Sequence, residues 1–362
     1  MVIAVVLLLL VVGSIWFHLV TPWWLTPLAS DWHQMDQTLH ITVVVTTVFF
    51  VVINLFIVFT VWRFRHRDGS KADYQPANAR LERWLVGITT VGIVALLAPG
   101  LAVYANYVSP PGDAMQIEVV ARQWQWHFRL PGADGKFGGS DVRFVSGANP
   151  LGLDPADASG QDDLVVTANE IHLPLGKPVK VLARSHDVLH DFFVPEFRAR
   201  MNIVPGQVSW FWFTPTKAGR YEAMCAQLCG VGHPRMQGYV VVEDEAAFAK
   251  WRMTQTTFAQ TQAPAAGGSG GGAGRALAQA KGCLGCHSLD GAAGVGPSWK
   301  GLFGKTETMV DGSTAKVDDE YLRAFIRDPK ARAVKGFAPV MPVIELSADE
   351  LDALVAFIKS QS

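Results

Sequence analysis

Between Ile41 and Trp62 the chain carries no charged side chain. A run of that length exceeds what a soluble core helix requires, and as a helix it spans about 30 Å of hydrocarbon. Two further stretches read the same way. Met1 to Val20 has only His18 as an ionisable side chain, and Trp84 to Tyr104 has no charged side chain. With flanking residues, these predict membrane helices over 1–22, 38–63 and 83–107. Hydrophobic residues make up 49% against 17% charged, and mean hydropathy is +0.20, as expected for a chain partly in lipid. A net charge of −1 supplies no concentrated basic face, so nucleic acid is excluded as a partner.

Basic residues set the orientation. Arg63, Arg65, Arg67, Lys71, Arg80 and Arg83 crowd the loop between the second and third stretches, whereas Thr21 to Leu39 contains no Lys or Arg. The positive-inside rule places the basic loop in the cytoplasm and everything after Tyr104 outside it. The first stretch reads as a retained helix with its N-terminus inside. A cleaved signal peptide is the alternative, although a positive n-region and an adjacent small-x-small site are missing. Trp16, Trp23, Trp24 and Trp32 suit an interfacial aromatic belt.

From Met115 the pattern changes to short β-type runs at Gln116–Ala121, Leu164–Ala168, Val179–Ala183, Val208–Phe213 and Gly238–Val242, broken by Gly, Pro and Asp. Such spacing predicts a small antiparallel sandwich or barrel over 114–250, with Pro131 to Asp163 as a long surface insertion. Residues 251–274, including the run Gly267 to Gly272, read as a flexible tether. Residues 275–362 have helical patterning at Arg275–Lys281, Asp318–Asp328 and Ala348–Lys359, and Ser347 with Glu350 predicts a capping box.

The four cysteines fall as two tight pairs, Cys225/Cys229 and Cys283/Cys286. Around the first pair stand His233 and Met236, with His190 upstream. Thiolate, thioether and imidazole together favour copper among first-row metals. A Cys225–Cys229 disulfide and a structural zinc site are the competing readings. The second pair belongs to Cys283-Leu-Gly-Cys286-His287, a C-x-x-C-H haem-attachment motif. Thioethers from both cysteines and an iron ligand from His287 follow from it. Met309 and Met341 are the available opposite ligands.

Asp187-Val-Leu-His190, Cys225-x-x-x-Cys229-x-x-x-His233-x-x-Met236 and Gln123-Trp-Gln-Trp126 resemble subunit II of the haem–copper cytochrome c oxidases, over about Asp31 to Val242. The resemblance implies a cupredoxin-like β-sandwich holding dinuclear copper, CuA. Cys225 and Cys229 would bridge both coppers, His190 and His233 would cap one each, and Met236 and the Gln227 carbonyl would be weak outer ligands. Gln227 stands where the family often has a magnesium-binding Glu. Trp124 matches the family's electron-accepting tryptophan, and Glu82 matches the mouth of a proton channel, although the Trp-Thr-x-x-Pro that usually follows is absent. A plain interfacial acid balancing Arg80 and Arg83 is the other reading of Glu82. His186 matches no ligand position.

The C-terminal part resembles a class I cytochrome c, whose axial methionine precedes the last helix. That implies Met341 as ligand, with Gly296-Pro-Ser-Trp299 packed against the haem. A Met/His pair raises the iron potential. The expected fold is therefore membrane α-helices, a β-sandwich and a small all-α cytochrome domain. A bacterial caa-type oxidase subunit II is implied, multi-pass in the inner membrane with both centres on the periplasmic side. It would carry electrons from a cytochrome c or a quinol–cytochrome c reductase through one covalent haem c and CuA. The recipient is subunit I, with subunit III as a further partner; at subunit I oxygen becomes water and protons are translocated. A nitric oxide reductase input subunit and a membrane-tethered carrier are the rival readings.

Overall fold

The computed structural model describes residues 2–21, 26–69, 71, 76–146, 149–166, 168–262, 274–275, 277–278, 281–292 and 294–361. Trp23, Trp24 and the glycine run of the tether lie outside them. The chain divides into two units, Met1–Ser109 and Pro110–Ser362.

The first unit holds α1 (Val2–Val20), α2 (His33–Arg63) and α3 (Ala79–Tyr107). All three are long and apolar enough to cross a membrane. α2 begins at His33, ahead of the uncharged run, because Asp36 sits favourably in its positive first turn and His33–Leu39 prolongs the helix beyond the apolar length. At 31 residues and 1.5 Å per residue, α2 outreaches the hydrocarbon. Asn78 caps α3 by accepting from Leu81 N at 3.1 Å. Buried Trp32 and Tyr107 pack edge to face at 5.3 Å, joining the start of α2 to the end of α3.

The second unit opens with β1 (Met115–Arg122), β2 (Gln125–Leu130), β3 (Leu164–Val166), β4 (Glu170–Pro174), β5 (Val179–Ser185) and β6 (His190–Val194). β7 (Ala199–Ile203), β8 (Ser209–Phe213), β9 (Gly219–Cys225) and β10 (Gln237–Glu243) follow. Then come α4 (Glu245–Met253), β11 (Thr256–Thr257) and α5 (Phe258–Gln262). Among the described residues the strands form one sheet ordered β11-β3-β2-β1-β5-β8 and another ordered β4-β10-β9-β6-β7. Alternate residues of β5 are buried, as a sandwich requires.

The antiparallel expectation needs correction. β1 pairs with β5 and β4 with β10 in parallel. Parallel partners join through long connections, and local turn signals report only hairpins.

The Pro131–Asp163 segment is no loose surface loop. Arg129, almost wholly buried, pairs with Glu118 and with Asp163, the latter at 2.6 Å, and also donates to the Gly138 carbonyl at 3.1 Å. Arg184 adds a second bond to Glu118 at 2.8 Å. Leu151 and Leu153 of the insertion pack with Val120 and Phe258 in a small core of their own. The ordered fold also continues past 250. β11 pairs with β3, and Phe258 is buried, so the segment expected as tether belongs to the sandwich as far as Gln262.

The C-terminal part packs helices Asp319–Arg327 and Ala348–Lys359 around Trp299, Leu322, Leu351, Leu354 and Phe357. Both capping-box bonds between Ser347 and Glu350 are present. A short hairpin, Thr306–Thr308 with Thr314–Lys316, modifies the all-α expectation.

Candidate metal and haem centres

Two adjacent strands present the first cysteine and the first histidine of the cluster. His190 opens β6 and Cys225 closes β9, with Phe192 opposite Cys225 in the register. The loop to Met236 folds back on itself, Cys225 N donating to Met236 O at 3.1 Å and Ala226 N to Asp191 O at 3.0 Å. The Cys225 and Cys229 sulfurs stand 3.8 Å apart. His190 Nδ1 lies 3.9 Å from Cys225 Sγ, and His233 Nδ1 lies 3.6 Å from Cys229 Sγ. Met236 Sδ is 3.8 Å from Cys229 Sγ, and the Gln227 carbonyl is 3.2 Å from Cys225 Sγ. His190 Nε2 donates to Asp187 Oδ1 at 2.8 Å, which leaves Nδ1, on the sulfur side, as the ring nitrogen with a free lone pair for a metal.

Burial alone opposes ionisation of Cys225, yet hydrogen bonds from His190 and the Gln227 and Asp191 backbone bring it down to about 6. Burial and the neighbouring Cys225 charge push Cys229 up to about 12. One thiolate is ready near neutrality, and a bound cation has to expel the second proton.

The second centre is an apolar crevice of about 1300 Å³, open mouth included, lined by Cys283, Cys286, His287 and Met341 among others. His287 Nδ1 donates to the Pro297 carbonyl at 2.8 Å, and its ring stacks on Trp299 at 5.2 Å. Burial keeps the imidazole neutral, with Nε2 as the remaining lone pair. A Cβ on Gly296 would come within 2.5 Å of that ring, so glycine is required there. Met309 is buried and bridges to Val334 by its backbone, and it does not line the crevice.

Trp124 touches both centres. Its Nε1 donates to the Cys229 carbonyl at 3.1 Å, Gln123 Nε2 donates to the same oxygen at 2.8 Å, and both side chains line the crevice. A Cβ on Gly232 would fall 2.2 Å from the indole, so the metal loop closes over Trp124 only because that position is glycine.

Comparison with known proteins gives these sites a family. Residues 115–244 match the profile of the cytochrome c oxidase subunit II periplasmic domain, and residues 272–362 match cytochrome c. An alternative cytochrome c oxidase subunit 2 of Bradyrhizobium diazoefficiens is 50% identical over 259 residues, covering 72% of this chain and 94% of that protein. The chain belongs to the cytochrome c oxidase subunit II family. A cytochrome c oxidase subunit 2 of Cereibacter sphaeroides is 29% identical, covering 62% of this chain and 76% of its own length. That of Alkalihalophilus pseudofirmus is 24% identical and covers 91% of this chain and 87% of its own length, both aqueous parts included.

In this subunit II with its fused cytochrome c domain, the donor sets fit the groups the family implies. Both Cys225 and Cys229 are free thiols, too far apart for a disulfide bond of about 2.0 Å. Two sulfurs, two imidazoles, a buried thioether and a carbonyl exceed what one tetrahedral zinc takes, and the thioether favours copper. At the crevice, burial pushes the Cys283 thiol up to about 12, which argues against a redox dithiol needing an accessible thiolate.

Elsewhere, Glu82 lies exposed in the first turn of α3, where its carboxylate accepts from Asn78 N at 3.4 Å. His186 is half-buried and stands apart from the sulfur cluster. Sequence reasoning gave no role to Gly232, and it used Asp187 and Gln123 only as members of the motifs that carry the resemblance. Asp187 was legible only as the acid three residues before a ligating histidine.

Proposed function

We propose that the chain is the electron-input subunit of a bacterial caa-type cytochrome c oxidase. It takes electrons from a separate donor at a covalent haem c and delivers them through CuA to the catalytic subunit I, which with subunit III completes a complex in the inner membrane. Haem and copper pair supply one-electron redox chemistry; the chain supplies their ligands and the route. Cys283, Cys286, His287 and Met341, all lining the crevice, would hold the haem. Cys225, Cys229, His190 and His233 would hold the copper pair, with Met236 and the Gln227 carbonyl completing the donor set. Glu82, exposed at the cytoplasmic end of α3, serves as a proton-channel mouth in subunit I's service.

One observation carries the reading: Trp124 is bonded to the Cys229 carbonyl and forms wall of the haem crevice. The measurement is the rate at which copper becomes reduced after rapid reduction of the haem in the purified complex. Trp124→Leu should slow it by an order of magnitude or more, at unchanged copper and haem content. An unchanged rate removes Trp124 from the route.

A further inference from the structure

Among the described residues that line the haem crevice, Glu307 is the only carboxylate. It sits on the short strand Thr306–Thr308, where both threonines are exposed and Glu307 is 8% exposed, so strand alternation turns its side chain to the crevice. That strand is fixed to the segment leading to Met341. Lys335 N donates to Thr308 O and Val310 N to Ala333 O, both at 2.8 Å. Lys305 Nζ stands 2.8 Å from Glu307 Oε1, but the lysine side chain is 59% exposed and does not line the crevice. The two cations that do line it compensate little. Lys281 is buried and already paired with Glu350 at 3.0 Å, and Arg332 is exposed to water. The Glu307 charge is felt across this wall. Burial and then Glu307 push the Tyr321 hydroxyl, which also lines the crevice, up to about 12, with Arg332 offsetting part of the rise. A carboxylate turned toward apolar walls costs free energy that a neutral residue avoids, and the electron route described above makes no use of it.

We propose that Glu307 sets the haem potential: its carboxylate in the crevice wall favours the ferric over the ferrous haem, lowers the midpoint potential and so favours release of the electron to copper. Ferric iron carries one more positive charge than ferrous iron, and apolar surroundings screen that charge from a carboxylate far less than water does. A Met/His ligand pair raises the potential and favours keeping the electron; Glu307 works against it. The step remains a one-electron exchange in which the haem is oxidised and the copper pair reduced. The proposal rests on the reading of the crevice as the seat of a covalent haem with His287 and Met341 as its ligands.

The test is an optical redox titration of the haem in the full-length, metal-loaded protein in detergent. Glu307→Gln keeps the shape of the side chain and removes its charge, so the midpoint potential should rise by about 59 mV, tenfold in the one-electron equilibrium constant. Glu307→Asp keeps the charge and should hold the potential near that of the unaltered protein. Lys305→Met breaks the same ion pair but leaves the carboxylate, so it should lower the potential slightly and never raise it. That variant also decides the matter if the glutamine variant fails to mature. An unchanged potential in Glu307→Gln, or a rise in Lys305→Met, overturns the role of the Glu307 charge. Haem that separates from the denatured chain, or a haem whose near-infrared band shows no methionine ligand, overturns instead the reading of the crevice beneath it.

Discussion

The copper loop and the haem crevice place their ligands by different means. At the copper loop, His190 and Cys225 are the ends of paired strands, and the remaining donors arrive within a short tightly hydrogen-bonded loop, so ligand atoms already stand 3.2–3.9 Å apart. At the crevice only one side is held this way. His287 is fixed by the Pro297 carbonyl, Gly296 and Trp299, whereas Met341 comes from a stretch without regular structure and is followed by exposed Pro342 and Val343. Strand frames suit a centre that must change geometry little on electron transfer. A covalently attached group tolerates a looser wall, because its thioethers do the positioning.

Cys225→Ser offers the harshest test of that contrast. One bridging sulfur cannot hold a copper pair, so the mixed-valence signal should vanish entirely while haem content stays unchanged, by metal analysis and haem absorbance. Retention of the signal would show that the loop does not pre-assemble the centre.

The frame itself is next. Arg129→Met leaves Asp163 buried without its cation and Glu118 with Arg184 alone, and breaking such a pair from one side costs about 3–5 kcal/mol. Chemical denaturation followed by sandwich tryptophan fluorescence should report that loss, with the haem band's own transition little altered.

The looser wall is probed by Met341→Leu. Haem should remain attached, and its midpoint potential should fall by more than about 60 mV, tenfold in the one-electron equilibrium constant. Met309→Leu should leave the potential in place, since Met309 does not reach the crevice.

The smallest effect is a pH slope. Burial, only partly offset by Arg129, raises Asp163 from 3.8 to about 6. Between those values the folded domain holds a proton that the unfolded chain releases. The destabilisation is therefore complete above about pH 6 and relieved as pH falls toward 4. Asp163→Asn should remove on the order of 1–2 kcal/mol of pH dependence across that window, read as thermal midpoint against pH.

Much of this organisation was legible from residues alone. The uncharged runs announced the helices, the C-x-x-C-H motif the haem site, and Ser347 with Glu350 the last helix's start. What escaped was whatever depends on distant pairing. The parallel partners of β1 and β4 leave no turn signature, and Arg129, Glu118 and Asp163 look like ordinary surface charges until the insertion closes over them. Phe258 reads as part of a tether because its burial partners, Leu151 and Leu153, are far upstream. Resemblance picked out Met341 over Met309; Met341 lines the crevice and Met309 does not.

Paramagnetic resonance of the purified full-length protein, with copper, zinc and free thiols counted in parallel, bears most directly on the shared-sulfur centre. One unpaired electron spread over two equivalent copper nuclei, beside a low-spin haem c, is the expected result. Stoichiometric zinc, or a Cys225–Cys229 disulfide in active protein, would contradict it.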